Sequence, residues 1–175
     1  IEERRPVPGR FLYVGSLAPW KGLDVALAAL AGVPGAELHV YGGQPGTAAW
    51  QALIKMAAEL GVRDRLVLHG TLPQHELRPL LAQALAGILP LDGRFSLAAR
   101  YTSPLKIFEY LCAGLPVLAG DLPSVRDLVT HGREGLLFAE RDAQGLARAM
   151  RQLMEDPGLA ARLSRQARQA GARCT

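Results

Sequence analysis

Short apolar runs alternate along this chain with longer stretches whose apolar residues recur at helical spacing, and Gly or Pro punctuates nearly every junction. The short runs predict strands over Arg10–Val14, Glu37–Tyr41, Arg65–His69, Ala86–Pro90, Pro116–Ala119 and Gly135–Phe138. The longer stretches predict helices over Leu23–Ala31, Thr47–Leu60, Pro73–Ala84, Pro104–Ala113, Ser124–Thr130 and Asp142–Met154, with a further helix starting at Asp156-Pro157. Strands alternating with helices in this way argue for an α/β fold, an open parallel sheet of about six strands with helices on both faces. The basic stretch Arg162–Arg173 is helical in character and is expected to fray. No internal repeat or low-complexity segment interrupts the pattern, and residues 1–175 read as a single domain.

The punctuation adds detail. Asp142 and Asp156 suit helix N-caps, Pro157 the first position of a helix, and Gly61 and Gly114 helix stops. Gly15, Gly42, Gly70 and Gly120 each fall where a strand ends. In an open parallel sheet that is the edge where ligands bind, and a residue without Cβ lets a ligand come close to the backbone. The same glycines also serve tight strand-to-helix turns, so both uses stay open.

Composition narrows the class. The chain is 49% apolar and 21% charged, enough for a packed core, and no apolar run approaches the roughly 20 residues of a membrane span. The two cysteines, Cys112 and Cys174, read as free thiols of a reducing compartment and not as a disulfide framework. The net charge of +4 comes mostly from arginines that are scattered and not interleaved with aromatics, which speaks against nucleic-acid binding. The four histidines, His39, His69, His75 and His131, show no metal-ligand spacing. Gly42-Gly43-Gln44-Pro45-Gly46 lacks the Gly-Lys-Ser/Thr ending of a phosphate loop, and no Ser-His-Asp arrangement is visible.

The richest stretch is Ser103-Pro104-Leu105-Lys106-Ile107-Phe108-Glu109-Tyr110-Leu111-Cys112-Ala113-Gly114-Leu115-Pro116-Val117. Ser103 suits an N-cap, and Lys106 and Glu109 lie one turn apart near a helix N-terminus, where unpaired N–H groups attract anions. A cation and an acid beside an anion site suit a ligand that carries both phosphates and hydroxyls. An i,i+3 ion pair on a solvated helix face would explain the same two residues. A second motif is Tyr13-Val14-Gly15-Ser16-Leu17 followed by Lys21-Gly22. Only three lysines occur in the chain, and Lys21 and Lys106 fall inside these two motifs.

Together, in this order and spacing, the two motifs resemble the donor site of the group 1 family of retaining glycosyltransferases, enzymes of GT-B architecture with two facing Rossmann-like domains. The resemblance runs from about Phe11 to Ala167. It implies that the chain is the nucleotide-sugar donor domain of a longer enzyme whose acceptor domain precedes Ile1. The fold would be a Rossmann-like sheet, and the isolated fragment is expected to be inactive. It implies catalytic roles for Lys21 on the donor diphosphate and for Glu109 on the ribose hydroxyls. Binding roles follow for Gly15, Ser16, Gly42, Gly70, Leu72, Ser103, Pro104, Leu105 and Lys106, with the base near Gly70-Thr71-Leu72. The implied partners are a nucleotide-sugar donor and a glycan or lipid-linked acceptor. No nucleic acid, cofactor or metal is expected. The implied location is the cytoplasm, with membrane contact at the inner face expected only of the full-length protein. The chain departs from the family twice: Ser16 stands where the family has arginine, and Tyr101 where it has the first of two acids. These departures motivate an alternative, a non-catalytic degenerate donor domain on the same fold. A flavodoxin-like regulatory domain fits less well, because strand one ends without a phospho-acceptor cluster or a hydroxyl-rich loop, and a sugar-nucleotide epimerase of similar architecture is a more distant reading.

Overall fold

The computed structural model describes residues 3–95 and 105–174. Six strands, β1 (Arg10–Val14), β2 (Glu37–Tyr41), β3 (Leu66–Gly70), β4 (Ala86–Leu89), β5 (Val117–Gly120) and β6 (Gly135–Phe138), form one sheet in the order β3-β2-β1-β4-β5-β6. Every neighbouring pair runs parallel. The chain winds outward from β1 to β3, returns across the sheet to β4, and winds outward again. Strand order therefore reverses between β1 and β4, the place where such sheets open a crevice.

The helices are α1 (Leu23–Ala31), α2 (Ala48–Glu59), α3 (Gln74–Gln83), α4 (Leu105–Cys112), α5 (Pro123–Arg126), α6 (Ala143–Glu155) and α7 (Pro157–Ala172). Strand alternation divides the core in two. Phe11, Tyr13, Leu38 and Val40 pack on one face beneath α1, α2 and α6. Leu12, Val14, Leu89 and Val117 pack on the other beneath α3 and α4. Side chains set the helix starts: Thr47, Asp142 and Asp156 accept hydrogen bonds from the N–H groups of Trp50, Gly145 and Leu159.

Three elements differ from the sequence expectation, each for a local reason. The third strand starts one residue late, because Arg65 belongs to a 3-10 turn (Arg63–Arg65). Its guanidinium donates to the carbonyls of Leu30, Val33 and Ala36, at and just beyond the end of α1, at 2.9–3.0 Å. The helix expected over Ser124–Thr130 is the single turn α5; a helix continued to Thr130 would pair that residue's N–H with Arg126 O, but the N–H goes to the carboxylate of buried Glu134 at 2.9 Å. The basic tail does not fray: α7 runs to Ala172, and its Leu163, Ala167 and Gly171 are buried. Gly171 lies against the Leu111–Cys112 backbone so closely that a Cβ there would stand 2.5 Å from the Leu111 carbonyl carbon.

Candidate functional site

A cleft of about 400 Å³ opens at the carboxyl ends of β1, β2 and β3, between α3 and α4. Its walls are Val14–Ser16 from β1, Tyr41–Gly43 from β2, Thr71 and Leu72 after β3, Gln74 and Leu77 of α3, and Lys106 and Glu109 of α4. Backbone hydrogen bonds fix the strand ends beside one another. Gly15 N–H donates to Tyr41 O at 3.0 Å, and Gly42 N–H to Gly70 O at 2.8 Å. Gly42 is required here: with φ at +148°, a Cβ would overlap the Gly15 carbonyl. The loop after β1 is tied back on itself by the Tyr13 hydroxyl, which donates to Ser16 O at 2.5 Å. Burial pushes the Tyr13 phenol far above its ordinary range, so the hydroxyl stays protonated as a donor.

Of the residues singled out in the sequence, Gly15, Ser16, Gly42, Leu72, Lys106 and Glu109 line this one cleft. Gly70 lies behind the lining and holds Gly42 through its carbonyl. Lys21 ends a 3-10 turn (Pro19–Lys21) that follows β1. Its ammonium rests 4.2 Å from the centre of the Trp20 ring, a cation–π contact. Leu105 begins α4 and is 64% exposed. Ser103 and Pro104 lie outside the described residues, as does Tyr101.

Lys106 and Glu109 line the cleft, and Lys21 lies outside its lining. Burial lowers the Lys21 amine, and the nearby Lys106 ammonium lowers it further. Lys106 Nζ lies 2.9 Å from Glu109 Oε2, with both side chains about a third exposed. The i,i+3 pair expected of a solvated helix is thus formed, and it faces the cleft. Sequence reasoning missed Tyr41 and Gln74 as wall residues. An aromatic directly before Gly42-Gly43, and the first residue of the helix after the third strand, were the available signals.

The model of the family described as glycosyl transferases, group 1, matches residues 8–156. The chain belongs to this family. It is 36% identical over 174 residues to the glycogen synthase of Mycobacterium tuberculosis, covering 95% of this chain and 39% of that protein. It is 32% identical over 164 residues to the D-inositol 3-phosphate glycosyltransferase of Frankia alni, covering 87% and 38%. The chain thus spans about two fifths of the length of these curated relatives. Among solved structures it resembles the sucrose-phosphate synthase of Thermosynechococcus elongatus, with a TM-score of 0.81 at 24% identity, over 95% of this chain and 41% of that one. HepE of Anabaena, solved with UDP and glucose, gives 0.80 at 22% identity, over 95% and 44%. The catalytic domain of the Helicobacter pylori cholesterol-alpha-glucosyltransferase gives 0.81 at 17% identity, over 97% and 100%. At such identities these likenesses carry the fold, the Rossmann-like half of a GT-B glycosyltransferase. Among the described residues no helix is long and apolar enough to cross a membrane.

Proposed function

We propose that this chain is the donor-binding half of a retaining glycosyltransferase that transfers a sugar from a nucleoside-diphosphate sugar to an acceptor. One observation carries the reading. Gly15 and Ser16 of the first motif and Lys106 and Glu109 of the second, far apart in sequence, line one cleft of about 400 Å³ at the carboxyl ends of the strands, and Lys21 of the first motif lies near enough to Lys106 to feel its charge. A cleft at that edge with a cation and an acid in its wall suits a ligand with both phosphates and hydroxyls, and the volume suits a small ligand. HepE, a protein of the same fold, holds UDP and glucose.

In this reading the diphosphate lies between Lys21, Lys106 and the amides at the start of α4, and the ribose hydroxyls donate to Glu109. Donor binding exchanges partners: Lys106 leaves Glu109 for phosphate oxygen, and the freed carboxylate takes the hydroxyls. When the bond between the anomeric carbon and the phosphate oxygen breaks, the leaving diphosphate gains charge. Ammonium groups held beside it by the fold would stabilise that charge. Ser16 supplies a hydroxyl where the family has a guanidinium, so Lys21 and Lys106 carry a larger share. The named activities of the relatives differ from one another, so donor sugar and acceptor follow from none of them.

The test is a calorimetric titration with UDP, GDP, ADP and dTDP without added metal. One of the four is expected to bind saturably. Lys21→Ala and Glu109→Gln should each weaken it about tenfold or more while the fold persists, since a hydrogen bond to a charged group is worth about 1.5–3 kcal/mol. Binding by none of them would favour the second reading that Ser16 motivates, a degenerate donor domain without catalysis.

A further inference from the structure

Arg141 is the one described residue other than glycine with positive φ, at +60°. An arginine gains nothing from that conformation and persists there only where its surroundings hold it. Those surroundings are two carboxylates, one from the first turn of α1 and one from the loop after β4. Nη1 and Nη2 form a fork on Asp24 at 3.1 and 2.6 Å, and Nη1 also reaches Asp92 Oδ2 at 3.2 Å. Asp92 is only 1% exposed and is further held by Arg94, through its backbone N–H at 3.0 Å and its guanidinium at 2.7–3.1 Å. These guanidinium groups hold the Asp92 carboxyl below its ordinary value, so it stays charged.

The three residues bracket the segment that carries Lys21. Asp24 stands in the first turn of α1, immediately beyond Lys21-Gly22. Asp92 follows β4, and its N–H donates to Trp20 O at 3.0 Å. Between them Gly22, with φ at +76°, sits against the Pro90 carbonyl so tightly that a Cβ would overlap it. The Pro19–Lys21 turn is therefore held at its middle residue by the Asp92 N–H and just past its end by Pro90 against Gly22, Asp24 follows two residues later, and Arg141 joins the two acids.

We propose that Arg141 is a positioning residue for Lys21: by clamping Asp24 to Asp92 it sets the turn that aims the Lys21 ammonium at the diphosphate of the donor. This rests on the donor-site reading. A clamp of this kind acts on the terminal phosphate more than on the rest of the ligand, whereas a merely structural loss would act on all of it.

The experiment measures affinities of this chain, Arg141→Ala and Asp24→Asn for UDP, GDP, ADP and dTDP and for the matching monophosphates. A second readout is the Cε NMR signal of Lys21, which the Trp20 ring displaces and which stands among only three lysines. Arg141→Ala should weaken the bound diphosphate about tenfold and its monophosphate less than about twofold, the scale of one charge-assisted hydrogen bond. The Lys21 signal should lose its displacement. Asp24→Asn, at a half-exposed site, should shift both readouts in the same direction by less, and it decides the matter if Arg141→Ala does not fold. An unchanged ratio of diphosphate to monophosphate affinity in the folded variant overturns the proposal. If the unaltered chain binds none of the nucleotides, the donor reading fails, and the Lys21 signal alone decides whether Arg141 positions that side chain.

Discussion

Tyr110 lies next to Glu109 in sequence, yet it serves a different part of the cleft. Its side chain is fully buried, and its hydroxyl receives the Val14 N–H at 3.1 Å. Val14 is the last residue of β1 and a cleft wall, and this bond satisfies an amide that the sheet leaves over where β1 ends. The ring takes the space that a side chain on Gly87 would need, since a Cβ there would come within 2.6 Å of it. Tyr110→Phe keeps the ring and strands the amide. The expected cost is about 1–3 kcal/mol, the penalty for a buried donor without a partner. Thermal unfolding should show it as roughly 2–4 °C per kcal/mol for a domain of this size. An unchanged melting temperature would mean that the hydroxyl contributes nothing. Nothing in the sequence announced this role, because the partner is 96 positions away and its amide carries no residue identity.

At the scale of elements, the apolar runs gave all six strands to within a residue or so, since strands covered on both faces are mainly apolar. Contacts between strands were less legible, because they depend on register. His39 and His69 showed no ligand-like spacing in sequence, but pairing of β2 with β3 brings His39 Nδ1 to 2.9 Å from His69 Nε2. Arg10 and Glu37, directly opposite each other on β1 and β2, extend the chain: Glu37 Oε1 receives Arg10 Nε at 2.7 Å and His39 Nε2 at 2.9 Å. His39 Nε2–H therefore donates to Glu37, His39 Nδ1 accepts, and His69 Nε2–H donates to it. The Tyr41 ring stacks on His69 at 4.3 Å, which links the cluster to the cleft wall. Burial lowers both histidines below their ordinary 6.5, and for His69 the neighbouring His39 and Arg10 add to this, while Glu37 partly opposes it for His39. The unfolded chain then takes up protons before the folded one does. Stability is complete above about pH 6.5 and falls as pH drops below it. Glu37, lowered first by Arg10, loses its contribution only further down, below its ordinary 4.5. The melting temperature should therefore fall between pH 7.5 and pH 5.5, and fall less in His39→Gln. Equal falls in both would assign the effect to other groups.

For the molecule as a whole, order along the chain carried the architecture, and two short motifs carried the charged wall of the cleft. The Ser103–Val117 stretch and the Gly15–Gly22 stretch are each local, and the reversal of strand order between β1 and β4 places their charges together. The Asp24–Asp92–Arg141 clamp was not legible, because its members come from a helix start and two loops that meet only when the sheet is complete. That geometry also bounds what this half does by itself. The cleft is walled by the carboxyl ends of three strands of one sheet and by α3 and α4, which in the donor-site reading serve the diphosphate and the ribose. Transfer further requires an acceptor hydroxyl held at the anomeric carbon, and holding two reactants in line is worth many powers of ten in rate. The relatives extend over more than twice this length, which is room for a facing half to hold that acceptor. The 175-residue chain is accordingly expected to bind its nucleotide but to transfer no sugar alone. The check is incubation with UDP-, GDP-, ADP- and dTDP-glucose and a maltooligosaccharide acceptor, following acceptor elongation separately from nucleotide release. Nucleotide release without elongation would be hydrolysis at an open donor site. Elongation by the isolated chain would show that the acceptor is held by these residues after all, and would move the catalytic boundary inside this sheet.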